Sequence, residues 1–225
     1  MLDYERHPSN RNLRLYHEAV YFNLPVMTDK GPLVLEYLER GAKVFMQAVH
    51  SHTRTAMFRF DLHFPKSFAH CDTRVISSFT DGLRKAIQRA QKPQPNQRRY
   101  PTTFNFIWVK EVGPESGRPH FHFALFLNRD AYFRLGKFNG ESNLFGLILQ
   151  QWANALGLPL SVCSGLVHAA SNPKYVQLPV MYFDQNATDF QQQIMDGFFR
   201  LSYLFKSATK VFQNGDRNLG TSRVG

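Results

Sequence analysis

The sequence predicts an α+β fold: a central, mainly antiparallel sheet that carries a histidine-bearing hairpin, flanked by helices, with a tyrosine on a late helix. Three observations carry this prediction. Residues 56–65 alternate, with Phe58, Phe60, Leu62 and Phe64 on one face and Arg59, Asp61 and His63 on the other, the period of a strand. The segments TTFNFIWVKE and RPHFHFALFLN read as two further strands joined by the short VGPESG turn, hence an antiparallel pair. Around them, apolar residues recur at helical spacing, giving the order helix, strand, helix, hairpin, helix, strand, helix.

Taken in order, the first 30 or so residues are polar and basic with interspersed aromatics, and read as an arm or irregular cap. Pro32 opens a helix over 33–50 with Leu35, Leu38, Val44 and Phe45 on its apolar face. After the first strand, Asp72 is placed to cap a helix ending near Gln91, with Val75, Phe79, Leu83, Ala86 and Ala90 on one side. KPQPNQRRYP reads as a basic loop inside one domain. After the hairpin a helix is expected over 142–156, ended by Gly157 and Pro159. Short strands are expected near 165–170 and 178–182, and a last helix over 188–211. Residues 1–50 are expected to form an arm and helix packed on a main domain of residues 51–225.

Composition limits the function classes. A hydrophobic fraction of 43% with 21 phenylalanines excludes a disordered chain. Cys71 and Cys163 are too few for a disulfide framework or a four-cysteine zinc site and suit a reducing compartment. The segment MLDYERHPSNRN has no apolar signal core, and no apolar run approaches the roughly 20 residues of a membrane span. The expectation is a soluble cytoplasmic protein with no membrane partner. Against 17 acidic residues stand 27 basic ones, a net charge of +10, which favours a polyanionic partner, most often nucleic acid. A basic surface without any nucleic-acid role is the plainer alternative. P-loop, HExxH and GxSxG motifs are absent from the sequence.

Two constellations carry chemistry. In Pro119-His120-Phe121-His122-Phe123, residues two apart on a strand share a face, so both imidazoles project together and can share a metal. Two solvated histidines are the alternative. If the turn closes symmetrically, Glu111 lies opposite His120 and Val109 opposite His122, which adds a carboxylate to the pair. Such an N,N,O set suits Mg²⁺, Mn²⁺ or Zn²⁺, but a one-residue slip would turn Glu111 to the other face. Asp61 and His63 either line this site or face water. In the last helix, Ile194, Phe198, Leu201, Phe205, Ala208 and Phe212 form a core stripe, and Tyr203 falls almost opposite it. Arg200, Lys206 and Lys210 are expected beside Tyr203 on the polar face, which makes it either a nucleophile with cations to hold a phosphodiester or a surface aromatic that stacks on a base.

These residues resemble a known family. Hydrophobic-His-hydrophobic-His in RPHFHFALFLN resembles the signature motif of the HUH endonucleases, and Tyr203-Leu-Phe-Lys206 resembles their YxxK tyrosine motif. More narrowly, WVKEVGPESGRPHFHFALFLN, RLSYLFKSATK and RNLGTSR resemble the inoviral gene-two replication initiators and the related YagK/YfjJ C-terminal domain family, from about residue 50 onward. The resemblance implies a one-tyrosine nickase that initiates rolling-circle replication of a phage or plasmid-like element in a bacterial host. It implies Mg²⁺ or Mn²⁺ on His120, His122 and Glu111, attack by Tyr203 to give a 5′-phosphotyrosine, and charge stabilisation by Lys206. Arg200, Lys210 and Arg118 are the candidate DNA contacts. The implied partners are single-stranded or supercoiled origin DNA and a host helicase. A single-tyrosine transposase, a relaxase and a non-catalytic DNA-binding regulator are the alternatives.

Overall fold

The computed structural model describes residues 4–68, 73–92, 99–113, 117–136, 143–170, 179–212 and 217–224. The chain begins with five short strands, β1 (Arg6–His7), β2 (Asn10–Tyr16), β3 (Val20–Tyr21), β4 (Leu24–Pro25) and β5 (Leu33–Val34), which lead into helix α1 (Leu35–His50). Then come β6 (Arg54–His63), α2 (Arg74–Ala90), β7 (Asn105–Val112), β8 (Pro119–Asn128) and α3 (Leu144–Leu156). The chain closes with β9 (Val167–Ala169), β10 (Val180–Asp184), α4 (Phe190–Ser202), a 3-10 turn (Tyr203–Phe205) and β11 (Leu219–Thr221). The fold is α+β, and the main sheet runs β10-β6-β8-β7-β11, with β9 beside the other half of β6. Every pairing in that sheet is antiparallel.

Each sheet face buries a separate core. Phe58, Phe60 and Leu62 of β6 and Phe121, Phe123 and Leu125 of β8 pack under α2 and α3, against Phe79, Ile148 and Trp152. The opposite face lies under α1 and α4, where Met57, Val109, Ala124 and Phe126 meet Phe45, Phe198 and Leu201. That second face changes character along the strands. It is apolar at the Met57–Phe126 end and becomes Arg59, Asp61, His122, His63, His120 and Glu111 at the hairpin end. Alternation puts the phenylalanines of β8 in one core and its two histidines on the other side.

Three expectations from sequence are corrected. The N-terminal segment, described from Tyr4, carries regular structure: β1, β2 and β5 form a three-stranded sheet and β3–β4 a hairpin. Leu24, Val26, Leu33 and Val34 are buried in the core under α1 and α4. The last helix stops at Ser202, well short of residue 211. The cause is tertiary: Lys206 is extended and bridges Leu33, and the Ser207 amide donates to Pro32 O at 2.9 Å, so these residues pair with the N-terminal segment instead of the helix ladder. The core stripe therefore holds through Phe205 and lapses at Ala208, which is exposed. Strand β11, unanticipated from sequence, completes the sheet beside β7. α3 ends at Gly157 as expected, with φ +68, the left-handed cap that glycine favours. Asp72 and the starts of the helix expected from 142 and the strand expected from 178 lie outside the described residues.

Candidate metal centre and tyrosine cleft

The hairpin register decides the site. Glu111 pairs with His120 and Val109 with His122, as the symmetric turn requires, and β6 adds His63 opposite His120 and Asp61 opposite His122. Two rungs of the same face, with one rung between them, thus put a carboxylate from β7, two imidazoles from β8 and an acid–imidazole pair from β6 together. Ligand atoms of Glu111, His120 and His122 all lie within 4.8 Å of one another. The two Nε2 atoms are 3.2 Å apart, and His122 Nε2 is 3.3 Å from Glu111 Oε2.

The surroundings fix these donors. His122 Nδ1 sits 2.5 Å from Asp61 Oδ1, which turns Nε2 toward Glu111 and His120, the carboxylate–imidazole support typical of metal-ligating histidines. Burial opposes protonation of His122, but the Asp61 and Glu111 carboxylates outweigh it and raise its pKa. Burial, with His122 and His63 close by, pushes the His120 pKa down to about 4, so its lone pair is available at neutral pH. Burial opposes ionisation of Glu111 too, yet the His122 hydrogen bond and the nearby Lys210 and Lys206 hold its carboxyl well below the usual range. Asp61 is likewise lowered: the cost of burial is overcome by the His122 bond and by Arg59.

A divalent ion fits this donor set. Two Nε2 atoms and a carboxylate oxygen converge, and the Lys206 ammonium already stands against that oxygen, 2.9 Å from Glu111 Oε2. Positive charge is what the position accommodates. Lys210, itself buried, holds the other oxygen, Oε1, at 2.7 Å. Burial outweighs that carboxylate and lowers the Lys210 pKa to about 8.

Tyr203 opens the 3-10 turn after α4 and reaches the same place. Its ring lies 6.4 Å from that of His122, and Lys206 Nζ sits 3.7 Å from its centre, a cation–π contact. A cleft of about 370 Å³ is lined by Glu111, His120, His122, Tyr203, Lys206 and Lys30, among others. An aromatic hydroxyl, a cation and a three-ligand cluster thus share one concavity.

Residues 16–222 match the model of the YagK/YfjJ C-terminal domain. The chain belongs to the YagK/YfjJ C-terminal domain family. Relatives include YagK of Escherichia coli (strain K12), 37% identical over 205 residues, covering 86% of this chain and 95% of YagK. YfjJ of the same organism is 31% identical over 209 residues, covering 86% of this chain and 96% of YfjJ; both relatives are described as uncharacterized. No solved structure matches the chain.

In this YagK/YfjJ-family chain the anticipated residues fall into two groups. Glu111, His120, His122, Asp61, Tyr203, Lys206 and Lys210 come together, and His63 stacks on His120 with ring centres 5.2 Å apart. Arg200 and Arg118 hold backbone carbonyls. Arg200 is buried, donating to Ala170 O at 2.7 Å, and Arg118 donates to the carbonyls of Pro65 and Lys66. The exposed cationic face drawn around Tyr203 is therefore corrected: Arg200, Lys206 and Lys210 are each less than 10% exposed, Arg200 within α4 against the Ala170 carbonyl and the lysines because the helix ends before them. Sequence reasoning missed Lys30, which the turn before β5 brings to the rim of the cleft with 60% of its side chain exposed. No local pattern signals this, since the turn is aimed by the pairing of Pro32 and Leu33 with residues 206–207.

Proposed function

We propose that this protein is a nicking and joining endonuclease of single-stranded DNA that starts rolling-circle replication of a phage or plasmid-like element. The observation that carries the reading is the shared cleft of Tyr203, Lys206 and the Glu111–His120–His122 cluster. Mg²⁺ or Mn²⁺ held by those three ligands would supply Lewis acidity toward a non-bridging oxygen of the scissile phosphate.

The chain's own residues supply the rest. Tyr203 Oη forms the new P–O bond, the bond from phosphorus to the 3′ oxygen breaks, and the proton lost by the phenol is balanced by one gained at that oxygen. The products are a 5′-phosphotyrosine and a free 3′-hydroxyl, and the reverse attack rejoins the strand. Lys206, over the tyrosine ring, stabilises charge as the phenol ionises. Asp61 keeps the His122 ring turned so that Nε2 faces the cluster. Lys30 at the rim is the cation placed to meet a flanking phosphate. Strand separation falls to a host helicase in the bacterial cytoplasm.

A denaturing-gel adduct assay tests the reading. The protein is mixed with Mn²⁺ and labelled single strands tiled across the flanks of its own gene. A labelled band that survives SDS, and is abolished by chelator and by Tyr203→Phe, is the expected result. No adduct on any tile, with salt-sensitive binding retained, would replace the enzyme by a DNA-binding regulator.

A further inference from the structure

The imidazoles do not end at the metal ligands. His63, opposite His120 on β6, lies nearly parallel to it, at 5.2 Å and 7°, and His168 of β9 follows at 4.7 Å and 43°. With His122 beside His120 at 4.7 Å, four imidazoles form a continuous row from the candidate metal centre to the edge of the sheet. The row ends on an exposed ring, His168. That ring is held by a contact of its Nε2 with Gly165 O at 2.5 Å, where Gly165 takes φ +77 and turns the chain into β9.

Behind this end lies a second cavity, about 380 Å³ in volume and largely apolar. Phe145, Leu149, Val167, Ala169 and His168 line it, with Ser164 and Gly165 at the turn. The pairing of β9 with β6 explains the arrangement. His168, opposite Asp61, faces the metal side of the sheet, while Val167 and Ala169, opposite Leu62 and Phe60, face α3. His168 thus belongs both to the row of rings on the metal side and to the lining of the hollow on the α3 side, at one edge of the sheet.

We infer that His168 and this cavity form a subsite for a nucleobase, the one neighbouring the phosphate seated at Glu111, His120 and His122. The inference rests on the proposed function for the strand's course but not on cleavage. Unstacked bases of single strands are held by aromatic faces, imidazole included, and by apolar walls that accept any base. The cavity is at the small end of ligand pockets, a volume for a base and not for a folded partner. The chain's net charge of +10 suits the strand that carries the base. His63 is a positioning residue, fixing the distance between the phosphate and base sites.

The experiment uses the full chain in chelator, where binding is read without cleavage. Fluorescence anisotropy is measured on the tightest-binding single-stranded tile and on a series of that tile with one base removed at each position. On the wild-type protein, loss of one particular base is expected to weaken binding about tenfold. His168→Ala should weaken the intact strand about as much and then show no further loss when that base is missing. His168→Phe keeps a ring without imidazole nitrogens and should restore both the affinity and the base dependence; melting temperatures check that each variant is folded. An unchanged base profile in His168→Ala would overturn the inference, as would Phe failing to rescue. A His168-dependent profile without any covalent adduct would leave the subsite standing and remove the nickase. An adduct with no such profile would do the reverse.

Discussion

Glu111 is 2% exposed, and its two oxygens face Lys206, Lys210 and His122. Removing one member of a buried ionic group leaves charge without compensation, which typically costs about 3–5 kcal/mol. Lys210→Met should therefore destabilise the metal-free protein by about 3 kcal/mol in urea unfolding, the low end because Lys206 and His122 remain. Adding Glu111→Gln should recover part of that loss, since the two changes touch one network. A cost within about 0.5 kcal/mol for Lys210→Met would mean that the pair is solvated. The same residues set an acid limb. His120 falls from 6.5 to about 4 on folding, so below pH 6.5 the unfolded chain binds the proton first and stability declines toward pH 4. His122, raised on folding, contributes its full stabilisation below pH 6.5 and adds no slope there. Glu111 and Asp61, both depressed, add further loss as the pH falls below about 4.5. Thermal melts in chelator should show this decline, and His120→Gln should flatten its part between pH 6.5 and 4. An unchanged limb in that variant would place the titration elsewhere.

At the scale of elements, α1 and the turn bearing Tyr203 are packed to contact. A Cβ on Gly41 would lie 2.1 Å from the Phe205 ring, inside the 3-10 turn that starts at Tyr203. Gly41→Ala should cost about 1–3 kcal/mol by overpacking, against the gain that alanine normally brings to a helix. Combining it with Phe205→Leu should restore much of the loss, measured by urea midpoint. A more stable Gly41→Ala would show that the turn gives way freely. This contact also marks how far sequence could be read. The strands β6, β7 and β8 and the helices α1 to α3 were legible because their apolar periods are long and local. So was the pairing of Glu111 with His120, because a short turn fixes register once the alternation is known. The end of α4 was not, since Pro32 and Leu33 stop it from about 170 positions away. Burial of Lys206 and Lys210 followed from that ending and was hidden with it. The strands β1, β3, β4, β5 and β11 run only two or three residues, too short to show a period, whereas the short β9 falls inside the strand expected near 165–170.

At the scale of the whole molecule, the described helices include none long and apolar enough to cross a membrane. One continuous core under α1 and α4 takes Leu24, Val26, Leu33 and Val34 from the N-terminal segment and Leu201, Leu204 and Phe205 from the C-terminal one. The two segments are also tied by hydrogen bonds: the Met27 amide donates to Ser202 Oγ at 2.8 Å, and the Ser207 amide to Pro32 O at 2.9 Å. The residues before α1 thus support the tyrosine turn and do not merely precede the domain. Burial of a large apolar side chain contributes about 1.5–3 kcal/mol, and Leu24, Val26 and Met27 together approach the 5–15 kcal/mol by which a domain is stable. A chain shortened to begin at Gly31 loses all three, along with Lys30. It should show no cooperative urea transition in near-ultraviolet circular dichroism, or a midpoint far below that of the full chain. Val26→Ala in the full chain, removing less, should shift the midpoint without changing the slope, because the surface exposed on unfolding hardly changes. If the shortened chain instead unfolds at the full chain's midpoint and with the full chain's slope, the N-terminal strands are an appendage. The geometry of the Tyr203 turn would then owe nothing to them.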